Sequence, residues 1–229
     1  MSHQLPLGFT FSDDVSFDTF YAGSNSLLLK HLLASAHDRS EPLIYIWGSA
    51  GVGKTHLLQA ACQCAAKCEQ RVAFVPLRDH NNLSPEMLMG LEHLQLVCID
   101  DVDAITGQPQ WEEALFHLYN RAQEAQLPLV ISGKVTPAAL GLGLQDLTSR
   151  LGWGLVFHVH PLNDEEKLGA IQQRARFRGM VLSDEVGHYL LKRYSRETHA
   201  LFQLLDQLDS ASLTAQRKLT IPFVREFIQ

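Results

Sequence analysis

Residues 43–60, LIYIWGSAGVGKTHLLQA, leave a chain few ways to fold. LIYIW is a short, continuous apolar run of the kind that forms a strand buried on both faces, and it passes without a linker into a glycine-rich turn and then a helical pattern. Gly48, Gly53, Lys54 and Thr55 satisfy G-x-x-x-x-G-K-[ST] in the strand, loop and helix setting that this motif needs. The chemistry explains the residue types. Gly48, Gly51 and Gly53 let backbone N–H groups turn inward around phosphates, and the helix that follows presents its positive end. Lys54 reaches the β and γ oxygens, and Thr55 offers its hydroxyl to Mg²⁺. These five residues are the expected phosphate-binding set.

Four further apolar runs alternate with helical patterns: RVAFVP (71–76), LQLVCID (94–100), PLVIS (128–132) and LVFHVH (155–160). This alternation predicts an α/β fold, a parallel five-stranded sheet with helices on both faces. Between the strands, SPEMLMGLEHL (84–94) is expected to be a helix capped by Ser84 with Pro85 at its first position. WEEALFHLYNRAQEA (111–125) is a second, with Trp111, Leu115, Leu118 and Ala122 at helical spacing. After Pro161 the strand signal stops. NDEEKLGAIQQRARFRG (163–179) has Asn163 and Glu166 at capping-box spacing and Gly179 as its stop, and helical patterns continue over 183–194, 198–216 and 220–229. The expected organisation is an N-terminal tail over 1–15, an α/β nucleotide-binding domain over 16–161 and a small all-helical domain over 162–229.

LVCIDDVD puts two carboxylates at a strand end. Asp100 is expected to hold Mg²⁺, directly or through water, and Asp101 to orient or deprotonate an attacking water. His158 and His160 share a face of the last strand, where a mutually satisfied pair is the expected role rather than metal ligation. In CQCAAKC, Cys64 and Cys68 are helical neighbours and Cys62 points elsewhere; no second pair completes a zinc set, and small buried thiols are expected.

The 19 Lys and Arg are scattered among 25 Asp and Glu, giving a formal charge of -6, so direct DNA binding through a basic face is not expected. No apolar run is long enough to span a membrane and the first residues lack a secretory pattern, which points to a cytoplasmic protein. QLPLGF, residues 4–9, combines apolar Leu5, Leu7 and Phe9 with Pro6 and Gly8, which disfavour a helix or a central strand. Its residues alone suit either an arm packed on its own domain or a docking peptide.

FDTFYAGSNSLLLKHL (17–32), GSAGVGKTHLL (48–58), VCIDDVD (97–103), SRLGWGLVFHV (149–159) and IPFVREFI (221–228) resemble the AAA+ module of DnaA, the bacterial replication initiator. LTSRL (147–151), DQLD (206–209) and TAQRKLTIPFV (214–224) are similar to segments of the Hda group of DnaA paralogues. The resemblance implies an AAA+ P-loop NTPase module followed by a helical lid. An initiator continues into a basic helix-turn-helix domain where this sequence ends at Gln229, so an AAA+-only relative is expected. Arg150 is implied as the arginine finger that one subunit offers to the nucleotide of the next. Gln4, Leu5, Leu7 and Phe9 are implied as a peptide that docks on the DNA polymerase III sliding clamp, with Gly8 standing where the family has Pro and Phe9 where it has Leu.

Two departures from the family pattern bear on nucleotide handling. His199 occupies the place of a lid arginine that lies over the β and γ phosphates, with Arg196 one helical turn earlier, and Lys134 replaces an aspartate beyond the fourth strand. A histidine presents no bidentate fork. Ser132 is left to sense the γ-phosphate or the lytic water. The expected cofactors are an adenine nucleotide, ADP rather than ATP, and Mg²⁺, with His199 in the nucleotide site and weak intrinsic ATPase at most. The implied function is activation of hydrolysis of DnaA-bound ATP, with DnaA and the clamp as partners, DNA reached only through the clamp, no membrane, and self-association open. The alternatives are a self-sufficient AAA+ ATPase or loader, and a clamp-binding adaptor without a catalytic part.

Overall fold

Leu43–Trp47 (β1), Val72–Pro76 (β2), Leu96–Asp100 (β3), Leu129–Gly133 (β4) and Leu155–His158 (β5) form one parallel sheet in the order β2-β3-β4-β1-β5. They belong to a computed structural model that describes residues 15–38, 41–194, 197–215 and 217–228, with the side chains of His199, Leu213 and Ile228 outside the described set. The tail residues Gln4, Leu5, Leu7 and Phe9, and Arg196, lie outside it as well. β3 and β4 are buried along their whole length, as apolar strands covered on both faces must be. Helices Ser26–Asp38 (α1), Lys54–Lys67 (α2), Pro109–Glu124 (α3) and Gln145–Leu151 (α4) accompany the sheet. Trp111, Leu115, Leu118 and Ala122 of α3 enter the main core with Tyr45, Ile99 and Ile131.

The chain divides into two compact units. Among the described residues the first contains Asn25–His160 with residues 15–17, and the second contains Asp18–Ser24 with Pro161 onward. In the second, Asp164–Phe177 (α5), Asp184–Arg193 (α6), Thr198–Ala215 (α7) and Ile221–Ile228 (α8) enclose a core that includes Ile171, Leu190, Leu205, Leu208 and Val224. The capping box at the start of α5 forms: Asn163 Oδ1 accepts from the Glu166 N–H and Glu166 Oε2 accepts from the Asn163 N–H, both at 2.9 Å. Tyr21 lies over Gly169 of α5, where an added Cβ would come within 2.7 Å of its hydroxyl. Gln173 also donates to the Asp18 carbonyl. Residues 18–24 are thus tied to α5. Among the described residues no helix is long and apolar enough to cross a membrane.

Three local expectations are corrected. Residues 84–94 do not form one helix but two 3-10 turns, Pro85–Leu88 and Leu91–His93. Gly90 between them has φ +80°, a left-handed conformation that stops a right-handed helix, and the Ser84 hydroxyl bonds the Glu86 carboxylate instead of capping. The strand expected to reach residue 160 ends at His158, which stacks on Trp47 at 4.1 Å, while the backbone of His160 is held by Asn25. Burial holds for Cys62 and Cys98 only: the face of α2 that turns inward carries Ala61, Cys62 and Ala65, and leaves Cys64 half-buried and Cys68 exposed beside His37. No group of three or more His, Cys, Asp or Glu able to hold a metal ion occurs among the described residues.

Gly154 is a close-approach glycine. A Cβ there would run into the Leu43 carbonyl oxygen and come within 2.7 Å of the Leu43 side chain, so the chain entering β5 lies flush against β1. Backbone cannot yield as a flexible side chain can. Gly154→Ala is expected to destabilise the first unit by about 1 to 3 kcal/mol, the usual cost of overpacking, measured by urea unfolding against wild type.

Candidate functional site

β1 delivers the chain into a loop that turns on glycine. Gly48 donates its N–H to the Gly133 carbonyl at 3.3 Å, and an added Cβ would sit 2.8 Å from the Val159 carbonyl oxygen. Gly51 and Gly53 have φ +78° and +100°. Such angles are strained for any residue with a Cβ, so glycine suits both positions of this loop. Gly53 caps α2 without a side chain, so the helix begins with no internal substitute for an anion.

Lys54 lies beneath this loop, 7% exposed, and its Nζ donates to the carbonyls of Gly48 at 2.8 Å and Ser49 at 3.0 Å. Burial lowers its pKa, opposed by the charges of Asp101, Asp100 and Asp103. An uncapped helix start, inward-turning glycines and a buried ammonium suit a polyphosphate. Thr55 donates its hydroxyl to Asp100 Oδ2 at 2.6 Å, so the two residues expected to hold Mg²⁺ are neighbours.

Strand register brings the carboxylates to the same place. β2 and β3 pair with Pro76 opposite Asp100, so the residues after them, Arg78 and Asp101, emerge side by side at one end of the sheet. Arg78, its side chain 72% exposed, pairs with the 9%-exposed Asp101 at 2.7 Å. Asp101 itself has φ +56°. Ser132, expected to face the γ-phosphate, is fully buried and bonds Asp100, and it also accepts the Asp101 N–H at 3.0 Å. Its hydroxyl thus links the Asp100 carboxylate to the backbone of Asp101. Lys134, the departure from the family pattern, pairs with Asp103 at 2.7 Å, and this hydrogen bond raises its pKa.

Arg78 and Asp103 are not among the residues that the sequence marks for this site. Asp103 had a visible signal in the IDDVD run, whereas Arg78 follows β2 in a 3-10 turn, Leu77–Asn82, and nothing in its own neighbourhood announces a partner 23 residues on.

Burial, then the Asp100 charge, raises the pKa of Asp101; Arg78 opposes them. A carboxyl whose folded pKa lies above its ordinary value of 3.8 binds more protons folded than unfolded between those two values. Stability is therefore lost as pH rises through that window. Asp101→Asn is expected to raise Tm at pH 7, with the gain disappearing as pH falls toward the ordinary carboxylate range. Asparagine tolerates the left-handed backbone, and loss of an ion pair to so exposed an arginine weighs little. Thermal unfolding at several pH values checks this.

Arg150 stands apart from this cluster. It lies in the last turn of α4, and its guanidinium carbon sits 4.6 Å from the Trp153 ring centroid and 5.7 Å from that of Tyr119 in α3. Among the described residues no ion pair joins it to a carboxylate. The structure thus brings together Gly48, Gly51, Gly53, Lys54, Thr55, Asp100 and Asp101, and leaves Arg150 on a separate aromatic shelf.

A sheet of this order, with a phosphate loop after β1 and adjoining carboxylates at the end of β3, followed by a helical unit, defines an AAA+ module. Residues 11–158 match the family model described as the bacterial DnaA ATPase domain, and residues 164–228 match the lid domain of Hda. The chain belongs to the bacterial DnaA ATPase-domain family, with a lid of the Hda type.

Solved structures agree on the fold. Domain III of the Thermotoga maritima replication initiation protein DnaA is 22% identical, with 94% of this chain and 96% of that one covered and a TM-score of 0.80. AMPPCP-bound DnaA from Aquifex aeolicus is 24% identical over 86% of this chain and 66% of its own, with a TM-score of 0.71. The Thermotoga maritima RuvB Holliday junction branch migration motor is 18% identical over 93% and 70%, with a TM-score of 0.67.

Proposed function

We propose that this protein regulates replication initiation by supplying Arg150 to ATP held on DnaA, so that hydrolysis there leaves inactive ADP-DnaA. The observation that carries the reading is Arg150 itself. It projects from α4 with its charge cushioned by two aromatic rings and unmatched by a carboxylate among the described residues, the state of a cation kept for an anion elsewhere. Family membership and the Hda-type lid support DnaA as the partner, whose ATPase domain this chain resembles and with which an AAA+ pair would share a site.

The chain's own loop would hold an adenine nucleotide, as does the AMPPCP-bound relative, and we take ADP as the resident form. Gly48, Gly51 and Gly53 would turn N–H groups to the phosphates, Lys54 would leave the loop carbonyls for them, and Thr55 and Asp100 would hold Mg²⁺. When bound, the ion neutralises charge between phosphate oxygens. Asp101 would be the residue to activate water, yet it is engaged by Arg78. That pairing, with His199 in place of an arginine, favours slow turnover by the chain itself. Residues 4–9 would give it location by docking Gln4, Leu5, Leu7 and Phe9 on the sliding clamp.

The intact Thr55, Asp100 and Asp101 set favours a second reading, a self-sufficient ATPase. Phosphate release separates the two. ATP-loaded DnaA on clamp-loaded DNA should release phosphate faster when this protein is added. Leu7→Ala should weaken clamp affinity about 10- to 100-fold, the worth of one buried leucine, and blunt the acceleration. No acceleration by wild type sinks the proposal, and rapid turnover without DnaA supports the second reading.

A further inference from the structure

The two rings around Arg150 differ in kind. Tyr119 is buried, its hydroxyl accepting from Gln123 at 3.2 Å, and forms a fixed wall. Trp153 is 66% exposed, an unusual position for so large an apolar ring. Its backbone is nonetheless held on both sides. The Gly152 N–H donates to the Ser149 carbonyl and the Trp153 N–H to the Arg150 carbonyl, both at 3.1 Å, in the tight turn that closes α4. On the other side Gly154 lies against β1, where no side chain fits. The turn and this contact together place the indole beside the arginine.

We propose that Trp153 is a positioning residue for Arg150: it holds the guanidinium in one orientation, with Tyr119 behind, so that the N–H fork is aimed before a partner arrives. This rests on the reading of Arg150 as an arginine given in trans. A guanidinium stacked on a ring face keeps its N–H donors free at the edge, because the ring engages the plane of the cation and not its hydrogens. An arginine without that shelf would sample its rotamers and reach the γ-phosphate less often in a productive pose.

In the full chain, the δ-methylene protons of Arg150 should be shifted upfield by the ring current of Trp153 in wild type, should lose that shift in Trp153→Ala, and should keep part of it in Trp153→Phe. In the phosphate-release assay, Trp153→Ala should lower the maximal stimulated rate about 10- to 100-fold with little change in the concentration giving half-stimulation, and Trp153→Phe should recover most of it. Ordinary wild-type shifts for the Arg150 protons overturn the proposal, as does full stimulation by Trp153→Ala. So does a raised half-stimulation concentration at an unchanged maximal rate, which would make the indole a docking contact. Full stimulation by Arg150→Ala sinks the reading beneath it instead, and does so whether or not the ring-current shift is present.

Discussion

Arg150→Ala is expected to lower the stimulated hydrolysis of DnaA-bound ATP by about 10³ to 10⁵, the range over which such an arginine acts on a transferring phosphoryl group. This corresponds to about 4 to 7 kcal/mol of transition-state stabilisation, more than other single contacts in the protein are expected to supply. The effect should fall on the maximal rate. Arg150 contacts Tyr119 and Trp153 and is bonded to none of Gly48, Lys54, Thr55 or Asp100, so the variant should fold and bind nucleotide in its own loop as wild type does. Single-turnover phosphate release with saturating protein measures the loss, and titration with ADP checks the loop. Arg150→Lys keeps the charge without the planar fork and is expected to recover only a small part.

Lys54→Ala is expected to weaken ADP binding by at least about 10²-fold. Two charge-assisted hydrogen bonds to phosphate oxygens are worth about 3 to 6 kcal/mol in all, or about 10² to 10⁴ in affinity. The ammonium already holds two loop carbonyls, so nucleotide exchanges partners for it and the lower end applies. Calorimetric titration decides the matter: an affinity within threefold of wild type would remove the loop from the nucleotide site. Burial lowers the Lys54 pKa in the free protein, and a bound phosphate favours the charged amine. Wild-type affinity should therefore weaken with rising pH before the ordinary lysine range is reached, and Lys54→Ala should lack that dependence.

The parts of this site that could be read from sequence are those whose chemistry fits within one continuous segment. Gly48 to Thr55 must be contiguous to surround a phosphate, and Asp100 and Asp101 close a strand whose apolar run marks its end. What escaped reading depends on register between strands. Arg78 meets Asp101 only because β2 pairs with β3, and Ser132 meets Asp100 only because β4 lies beside β3. The stretch 84–94 carries a helical pattern without a helix because two short turns bury Leu88 and Leu91 at much the same spacing as a helix, while the left-handed Gly90 separates them. Of the arginine shelf, SRLGWG carries Arg150 through its family resemblance, but the nearness of Tyr119 follows from α3 packing on α4.

Residues 18–24 belong to the second unit, although most of the first unit separates them from α5. During synthesis these seven residues leave the ribosome long before Gly169 and Gln173 exist to receive them, so the second unit completes last, after the sheet is made. A fragment cut at Pro161 would lack them and would leave the Gly169 surface of α5 bare. Any attempt to produce the helical unit alone should therefore carry the 18–24 segment with it, joined to the end of the chain that nature reaches by the longer route.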